Sequence, residues 1–376
     1  MTQPTKRLLS LDFMRGLIMV LLALEGAELF VHLSKATKGG WLEGLMIQLE
    51  HHQWHGLHAW DLVQPAFMFM AGAAMAYSLD RQREQGMSWA ASFRKILRRC
   101  GWLFFWGVLD YAVKPDGLFI LLWDVLTQLS FTTLVAFLIF RWTYMSRILF
   151  CIGLLLLTEV LYRYTHVPGF DQPFTDQHNF GNYVDLLLMN TINRGGWVAI
   201  NCIPTAVHTI AGTMAGQLLL GRMGAQQAVT PAGADQKKIG ALLLWGGICL
   251  LAGFGLDWTG ITPIIKRIAT SSFTLASLGW CLWMLAACYW WIDTKGHRKG
   301  LQFFTIVGMN SIFIYLFFEI VGSRWFNEYI TAIVTGLLKI VHTPELPALI
   351  LSSLVIFALE WGICYFLYRR KIFFRI

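Results

Sequence analysis

Charge is scarce in this chain. Asp, Glu, Lys and Arg supply 14% of its 376 residues, against about 25% in a soluble globular domain, so water is not its main solvent. Paired cysteines are missing too. Cys100, Cys151, Cys202, Cys249, Cys281, Cys288 and Cys364 occur singly, nearly all inside apolar blocks, without the C-x-x-C spacing of zinc or redox sites. They read as buried small hydrophobes, and a disulfide-stapled class is excluded. Low-complexity tracts, internal repeats and a soluble domain boundary are also lacking, which sets aside disordered and collagenous classes and leaves residues 1–376 as one membrane domain. What is present is apolar: 56% of positions, a mean hydropathy of +0.54, and long blocks in place of short periodic patches.

The net charge of +8 and pI near 9.2 would suggest a nucleic-acid partner in a soluble protein. Here most Lys and Arg sit in short segments between apolar blocks, where orientation in a bilayer explains them better. A spanning helix needs about 20 mostly apolar residues. Candidates run over 12–31, 59–78, 95–113, 119–140, 146–164, 197–220, 238–256, 268–292, 301–321 and 346–368, which predicts an all-α bundle of about ten transmembrane helices. The basic connections holding Arg81, Arg83, Lys95, Arg98 and Arg99, then Arg141 and Arg147, then Arg222, Lys237 and Lys238, then Lys295, Arg298 and Lys299 are predicted to be cytoplasmic. Lys6 and Arg7, and Arg369, Arg370, Lys371 and Arg375, place both termini on that side. The stretch 325–341 carries Asn327, Glu328 and Lys339 and is expected as a non-spanning external element. Lys6 and Arg7 before Leu17–Leu24 resemble a signal peptide, yet Glu25 and Glu28 interrupt the run and no cleavage site follows, so the segment is expected to stay as a helix.

Polar residues inside spans are costly and usually face a cavity or a partner. Glu25 and Glu28, three apart, are expected on one face near the external end of the first helix. There they either cap a bundle seam against headgroup water or line a substrate site. The densest polar cluster is His51-His52-Gln53-Trp54-His55-Gly56-Leu57-His58-Ala59-Trp60-Asp61. His51 and His55 would share a helical face, but the Glu of an H-E-x-x-H site is missing and no cysteine ligand is near, so no metal site is predicted. Two other readings stay open: an interfacial loop anchored by Trp54 and Trp60, or acid/base chemistry, for which histidine titrates in the right range.

The ordered motifs Arg7-Leu8-Leu9-Ser10-Leu11-Asp12, Arg15-Gly16, His51-x-x-Trp54-x-Gly56-Leu57, Asp61-Leu62-Val63, Pro65-x-Phe67-x-Phe69 and Gly72 resemble the membrane acetyltransferases typified by lysosomal heparan-alpha-glucosaminide N-acetyltransferase and its bacterial relatives. Ser271-Ser272-Phe273 and Gly308-Met309-Asn310-Ser311 with Tyr315 match as well. The resemblance runs from about Arg7 to Tyr368. Gln64 stands where an aromatic is usual, and Glu25-Gly26 where the lysosomal enzyme has an asparagine. The resemblance implies transfer of an acetyl group from cytoplasmic acetyl-CoA to the amino group of a glucosamine-type amino sugar across the membrane. For this chain that means the periplasmic side of a bacterial inner membrane. It further implies that His51 is the essential histidine, with Asp61 and Asn310 on the matching catalytic positions.

On that basis Glu25, Glu28, Trp54 and His55 are candidate acceptor-binding residues. Arg98, Arg99, Lys237, Lys238 and Arg298 are candidates for the CoA phosphates, though each could equally serve orientation. Family analogy makes a homodimer plausible; lipid is the remaining partner. His51 would act as a general base in a ternary complex, or carry the acetyl group itself. A transporter of an amino sugar or its N-acetyl form is the competing class, since intramembrane Glu and Arg suit it too. A membrane assembly factor would leave the histidine cluster without a task.

Overall fold

The computed structural model describes residues 8–114, 117–221 and 233–374. Lys6, Arg7, Arg222 and Arg375, which carried part of the orientation argument, lie outside the described residues. The chain opens with α1 (Leu9–Gly26), turns into α2 (Leu29–Thr37) and α3 (Glu43–Ile47), and crosses the irregular histidine segment to a 3-10 turn (Ala59–Leu62) that runs into α4 (Val63–Glu84). It continues through α5 (Trp89–Ala112), a two-residue pairing of β1 (Val113–Lys114) with β2 (Gly117–Leu118), then α6 (Val125–Leu138), α7 (Tyr144–Tyr164) and the short α8 (Phe180–Met189). After α9 (Cys202–Leu219) and α10 (Ala234–Trp258), α11 (Ser271–Cys288) ends in a π-helical turn, Tyr289–Thr294. α12 (Leu301–Met309) breaks at Asn310. α13 (Ser311–Leu316) then passes through a π-helical stretch, Phe317–Phe326, into α14 (Asn327–Ile340), and α15 (Glu345–Arg369) closes the fold.

The molecule is an all-helical bundle, and among the described residues five helices are long and apolar enough to cross a membrane: Ala59–Glu84, Tyr144–Tyr164, Ala234–Trp258, Ser271–Thr294 and Glu345–Arg369. The number rises to seven if each of two bent pairs counts as one span, α1 with α2 at 69° and α12 with the helix from Ser311 at 75°. Of the expected spans, 95–113 is helical as far as Ala112, 119–140 only over Val125–Leu138, and 197–220 over Cys202–Leu219 after a 3-10 turn. However, α5 carries Arg94, Lys95, Arg98 and Arg99, α6 has only 14 residues, and the inward side of α9 is rich in threonine.

Packing follows membrane rules, with small residues where backbones meet. A Cβ on Gly72 of α4 would lie 2.0 Å from the Thr209 carbonyl oxygen of α9, and one on Gly212 of α9 would lie 2.0 Å from that of Phe69. α1 and α12 meet in the same way at Gly16 and Gly308, and α10 meets α11 at Gly253 and Gly279. α1, α4, α9 and α11 thus form the buried centre. The outer helices α7 and α10 turn Leu149, Leu156, Leu244 and Leu251 outward, as helices in hydrocarbon do.

Two expectations are corrected. Glu25 and Glu28 do not share a helical face, because α1 ends at Gly26 and Glu28 takes a left-handed conformation (φ 62°) that starts α2 in a new direction. The stretch 325–341 is not a separate element. It continues the helix that begins at Ser311, with no turn between them, because the π-helical stretch carries the chain past Gly322.

The glycine contact gives a test. Gly72→Ala must separate α4 from α9 and should destabilise the protein by about 1–3 kcal/mol, read as a lower melting temperature in detergent. Gly247 in α10 has open space around its Cα, and Gly247→Ala should be neutral or slightly stabilising.

Candidate functional site

Asp61 is the last residue but one of the 3-10 turn, and its carboxylate folds back over the start of that turn. Oδ2 accepts hydrogen bonds from the backbone N–H of His58 (2.9 Å) and His52 (3.3 Å), which fixes the irregular segment before α4. Oδ1 lies 3.1 Å from His51 Nδ1 and 3.4 Å from Lys266 Nζ, and Lys266 Nζ is itself 3.0 Å from His51 Nδ1. The Asp61 side chain is 0% exposed, that of Lys266 6%, and that of His51 39%. A buried charge pair of this kind is stable only when further hydrogen bonds complete it, and the two backbone amides do so. Burial pushes the Lys266 ammonium down to about 8, with Asp61 and Glu25 pulling it back upward.

Lys266 is placed by a loop that is unusual in being buried. Asp257 accepts from the Ile264 N–H at 2.8 Å, Thr270 Oγ1 bonds both Pro263 O and Ile265 N, and the Asn201 amide holds the Arg267 carbonyl at 2.6 Å. Its polar backbone is therefore satisfied inside the protein. His55 ties the histidine segment to the same loop, with Nε2 2.7 Å from Asp257 Oδ1 and its backbone bridged to Ile265.

His51 opens onto a cavity of about 370 Å³ between α1, α4, α6 and the helix from Ser311. Lys266, Trp60 and Trp197 form one side. Glu25, Asp124 and Glu319 bring carboxylates to the wall, with Tyr111, Trp123 and Tyr315 between them. Glu25 accepts from Trp60 Nε1 at 2.9 Å; Asp124 caps α6 through Leu126 N at 2.7 Å and accepts from Tyr315 O–H at 2.7 Å. Trp197 stands edge-on to the His51 ring, 6.0 Å between centroids, with Lys266 Nζ 5.3 Å from its own ring. Nδ1 of His51 is engaged by Asp61 and Lys266, while Nε2 has no hydrogen-bond partner among the described residues.

The residues singled out from sequence separate into two groups. His51 and Glu25 line this cavity, and Asp61 holds His51 without reaching the cavity surface itself. The others stand elsewhere. Glu28 is exposed beside His32, and Trp54 donates from Nε1 to Phe174 O (2.8 Å) in a small apolar cluster with Tyr162 and Val198. Asn310 is fully buried, but its amide holds the C-terminal segment, donating to Ile372 O (3.2 Å) and accepting from Phe374 N (2.9 Å). His51 and His55 do not share a helical face, because the segment between α3 and the 3-10 turn is not helical. Trp60, read as an interfacial anchor, is buried.

Of the basic candidates, Arg98, Lys237 and Arg298 are exposed, and Lys238 donates to Leu219 O with Asp235 nearby. Arg99 keeps a buried Nε with no hydrogen-bond partner, close enough to Arg15 for the two guanidinium charges to repel. None of the five lines the His51 cavity.

Sequence reasoning missed Lys266, Trp197, Asp124 and Glu319. One signal was available. Lys266 and Arg267 are a basic pair on a connection that the charge pattern predicts to be external, where lysine is not needed for orientation. Scanned against protein-family models and searched against curated proteins, the chain matches none.

Asp61→Ala would leave the Lys266 ammonium and two amides without their partner. It should destabilise the protein by about 3–5 kcal/mol, seen as a large drop in melting temperature. His51→Ala, at a half-exposed ring, should melt close to the parent.

Proposed function

We propose that the protein is a transmembrane acetyltransferase, moving the acetyl group of cytoplasmic acetyl-CoA onto the amine of an amino sugar on the periplasmic side of a bacterial inner membrane. The observation that carries the reading is a cavity-lining histidine with one nitrogen held by a buried carboxylate and the other without a hydrogen-bond partner among the described residues, beside aromatic and carboxyl groups. That is the arrangement of an oriented general base. Aromatic faces suit the apolar side of a sugar ring, and carboxylates suit an ammonium. The ordered motifs around His51 and Asp61 add a resemblance that points the same way.

In this reading the acceptor amine attacks the thioester carbonyl carbon. A C–N bond forms, the C–S bond breaks with its electron pair going to sulfur, and His51 Nε2 takes the amine proton and returns it to the CoA thiolate. Asp61 holds the ring and stabilises the imidazolium. The Asn310 amide is held by the C-terminal backbone, donating to Ile372 O and accepting from Phe374 N, and no step here is assigned to it. Arg99, with its unpartnered Nε beside Arg15, is the strongest candidate among the basic residues for a CoA phosphate.

The decisive experiment is CoA release from acetyl-CoA in the presence of glucosamine. His51→Ala should retain CoA binding and lose about 10²–10⁴-fold in rate. His52→Ala and His58→Ala, which keep the backbone amides on Asp61, should lose little. Full transfer by His51→Ala would overturn the mechanism. One observation favours a transporter as the second reading: the cavity sits beside two broken helices, α1–α2 and α12–α13, and carries carboxylates. A transporter would release no CoA.

The ten-span arrangement with cytoplasmic termini belongs to the same proposal. Single cysteines at Gln53 and Gln227 in a cysteine-free background should react with impermeant reagents from opposite sides. Reaction of both from outside intact cells would rule it out.

A further inference from the structure

We propose that Lys266 is a positioning residue whose proton decides which nitrogen of His51 carries hydrogen, and so whether His51 meets the acceptor as a base or as a hydrogen-bond donor. The proposal rests on the acetyl-transfer reading above. It starts from a conflict in the geometry. His51 Nδ1 lies 3.1 Å from an Asp61 oxygen, which can only accept, and 3.0 Å from Lys266 Nζ, which as an ammonium can only donate. One ring nitrogen cannot serve both in a single neutral tautomer.

The two solutions differ at the far side of the ring. When Lys266 is an ammonium it donates to bare Nδ1 and to Asp61 Oδ1, 3.4 Å away; the ring hydrogen is then on Nε2, and the cavity faces a donor. When Lys266 is a neutral amine, Nδ1–H donates to Asp61, and the Nε2 lone pair faces the cavity. Only the second form removes a proton from an acceptor. The change balances with the loss of one proton: Lys266 gives it to solvent, the set's charge falls by one, and the ring hydrogen moves from Nε2 to Nδ1 through exchange with solvent.

The surroundings leave this balance close. Asp61, from the 3-10 turn, and Glu25, from α1, favour the ammonium. Burial and Arg267, next on the same loop, oppose it, and the Trp197 ring lies 5.3 Å away. The loop is held by Asp257, Thr270 and Asn201, so Nζ has little freedom to leave the set. Burial lowers the ammonium to about 8, which places the change above the range of an ordinary histidine, about 6.5.

The test uses the full-length protein in nanodiscs with ¹⁵N-labelled histidine, the His51 signals being assigned by their loss in His51→Gln. From about pH 6 to about pH 10, the hydrogen should move from Nε2 to Nδ1, with its midpoint above that of a free histidine. A tautomer that stays constant over that range overturns the proposal, and the reading needs no turnover; His51→Gln, at a half-exposed ring, serves only to assign the signals. Rates give a second reading. Lys266→Arg keeps a permanent cation and should lose about 10²–10⁴-fold at every pH, as loss of a base does. Lys266→Met removes the ammonium partner of buried Asp61 and should melt lower, yet per folded molecule it should keep more activity than Lys266→Arg, with a flatter pH dependence above about pH 7 than the parent. If the charge mattered only for structure, Arg would be the better substitute, and that order of activities would also overturn it. A tautomer that switches in a protein releasing no CoA upholds the proton coupling and removes the transferase reading; transfer with a fixed tautomer does the reverse.

Discussion

Asp61 is fully buried, charged, and shared by two pieces of chain that are far apart in sequence. Its two oxygens gather the backbone amides of His52 and His58, the ring of His51 and the ammonium of Lys266. An isolated carboxylate at such a place would be prohibitively costly. The irregular histidine segment and the buried loop before α11 therefore have to come together around it. Once they do, the position of His51 follows, and so does the wall of the cavity beneath it. This constraint turns a polar, irregular run of sequence into a fixed surface at the end of a helical bundle.

The bundle supplies the other half of the site. Broken helices are tolerated in a membrane protein where the freed backbone is buried or lines a cavity, and both breaks here stand near the pocket. The first ends α1 just after Glu25, so that its carboxylate reaches Trp60, while Asn327 of the distant α14 donates to the freed Gly26 carbonyl at 2.7 Å. The second precedes Tyr315 and the π-helical stretch that brings Phe318 and Glu319 to the same wall. π-helical segments are rare and concentrate at functional sites. The cavity thus has Lys266 and His51 in its wall together with the carboxyl groups of Asp124 and Glu319.

Much of this was legible beforehand, for physical reasons that differ by residue. Apolar blocks longer than about 18 residues have few soluble explanations, and helices α4, α7, α10, α11 and α15 stand where the blocks stood. His51 and Asp61 were legible because ten residues of polar sequence beside an apolar block need a reason. Glu25 was legible as a charge inside a span. Glu28 was misread because helical spacing holds only while the helix lasts, and the left-handed residue is Glu28 itself. For Asn310 the sequence did not show that its amide meets the C-terminal backbone. An asparagine at a helix break is as readily a backbone partner as a catalytic group, and sequence does not say which segment returns to meet it.

Composition and run length by themselves determined that the chain is helical and suited to a membrane, because transfer free energy depends on local sequence alone. They also determined that its rare polar groups matter. Only the tertiary structure decided which of those groups meet. Lys266 is 205 residues from Asp61 in the chain, and Asp124 and Tyr315 are 191 apart. Such pairings come from which helices share a glycine contact and where a break redirects the backbone. Both are properties of packed surfaces, and no window of sequence contains two of them at once.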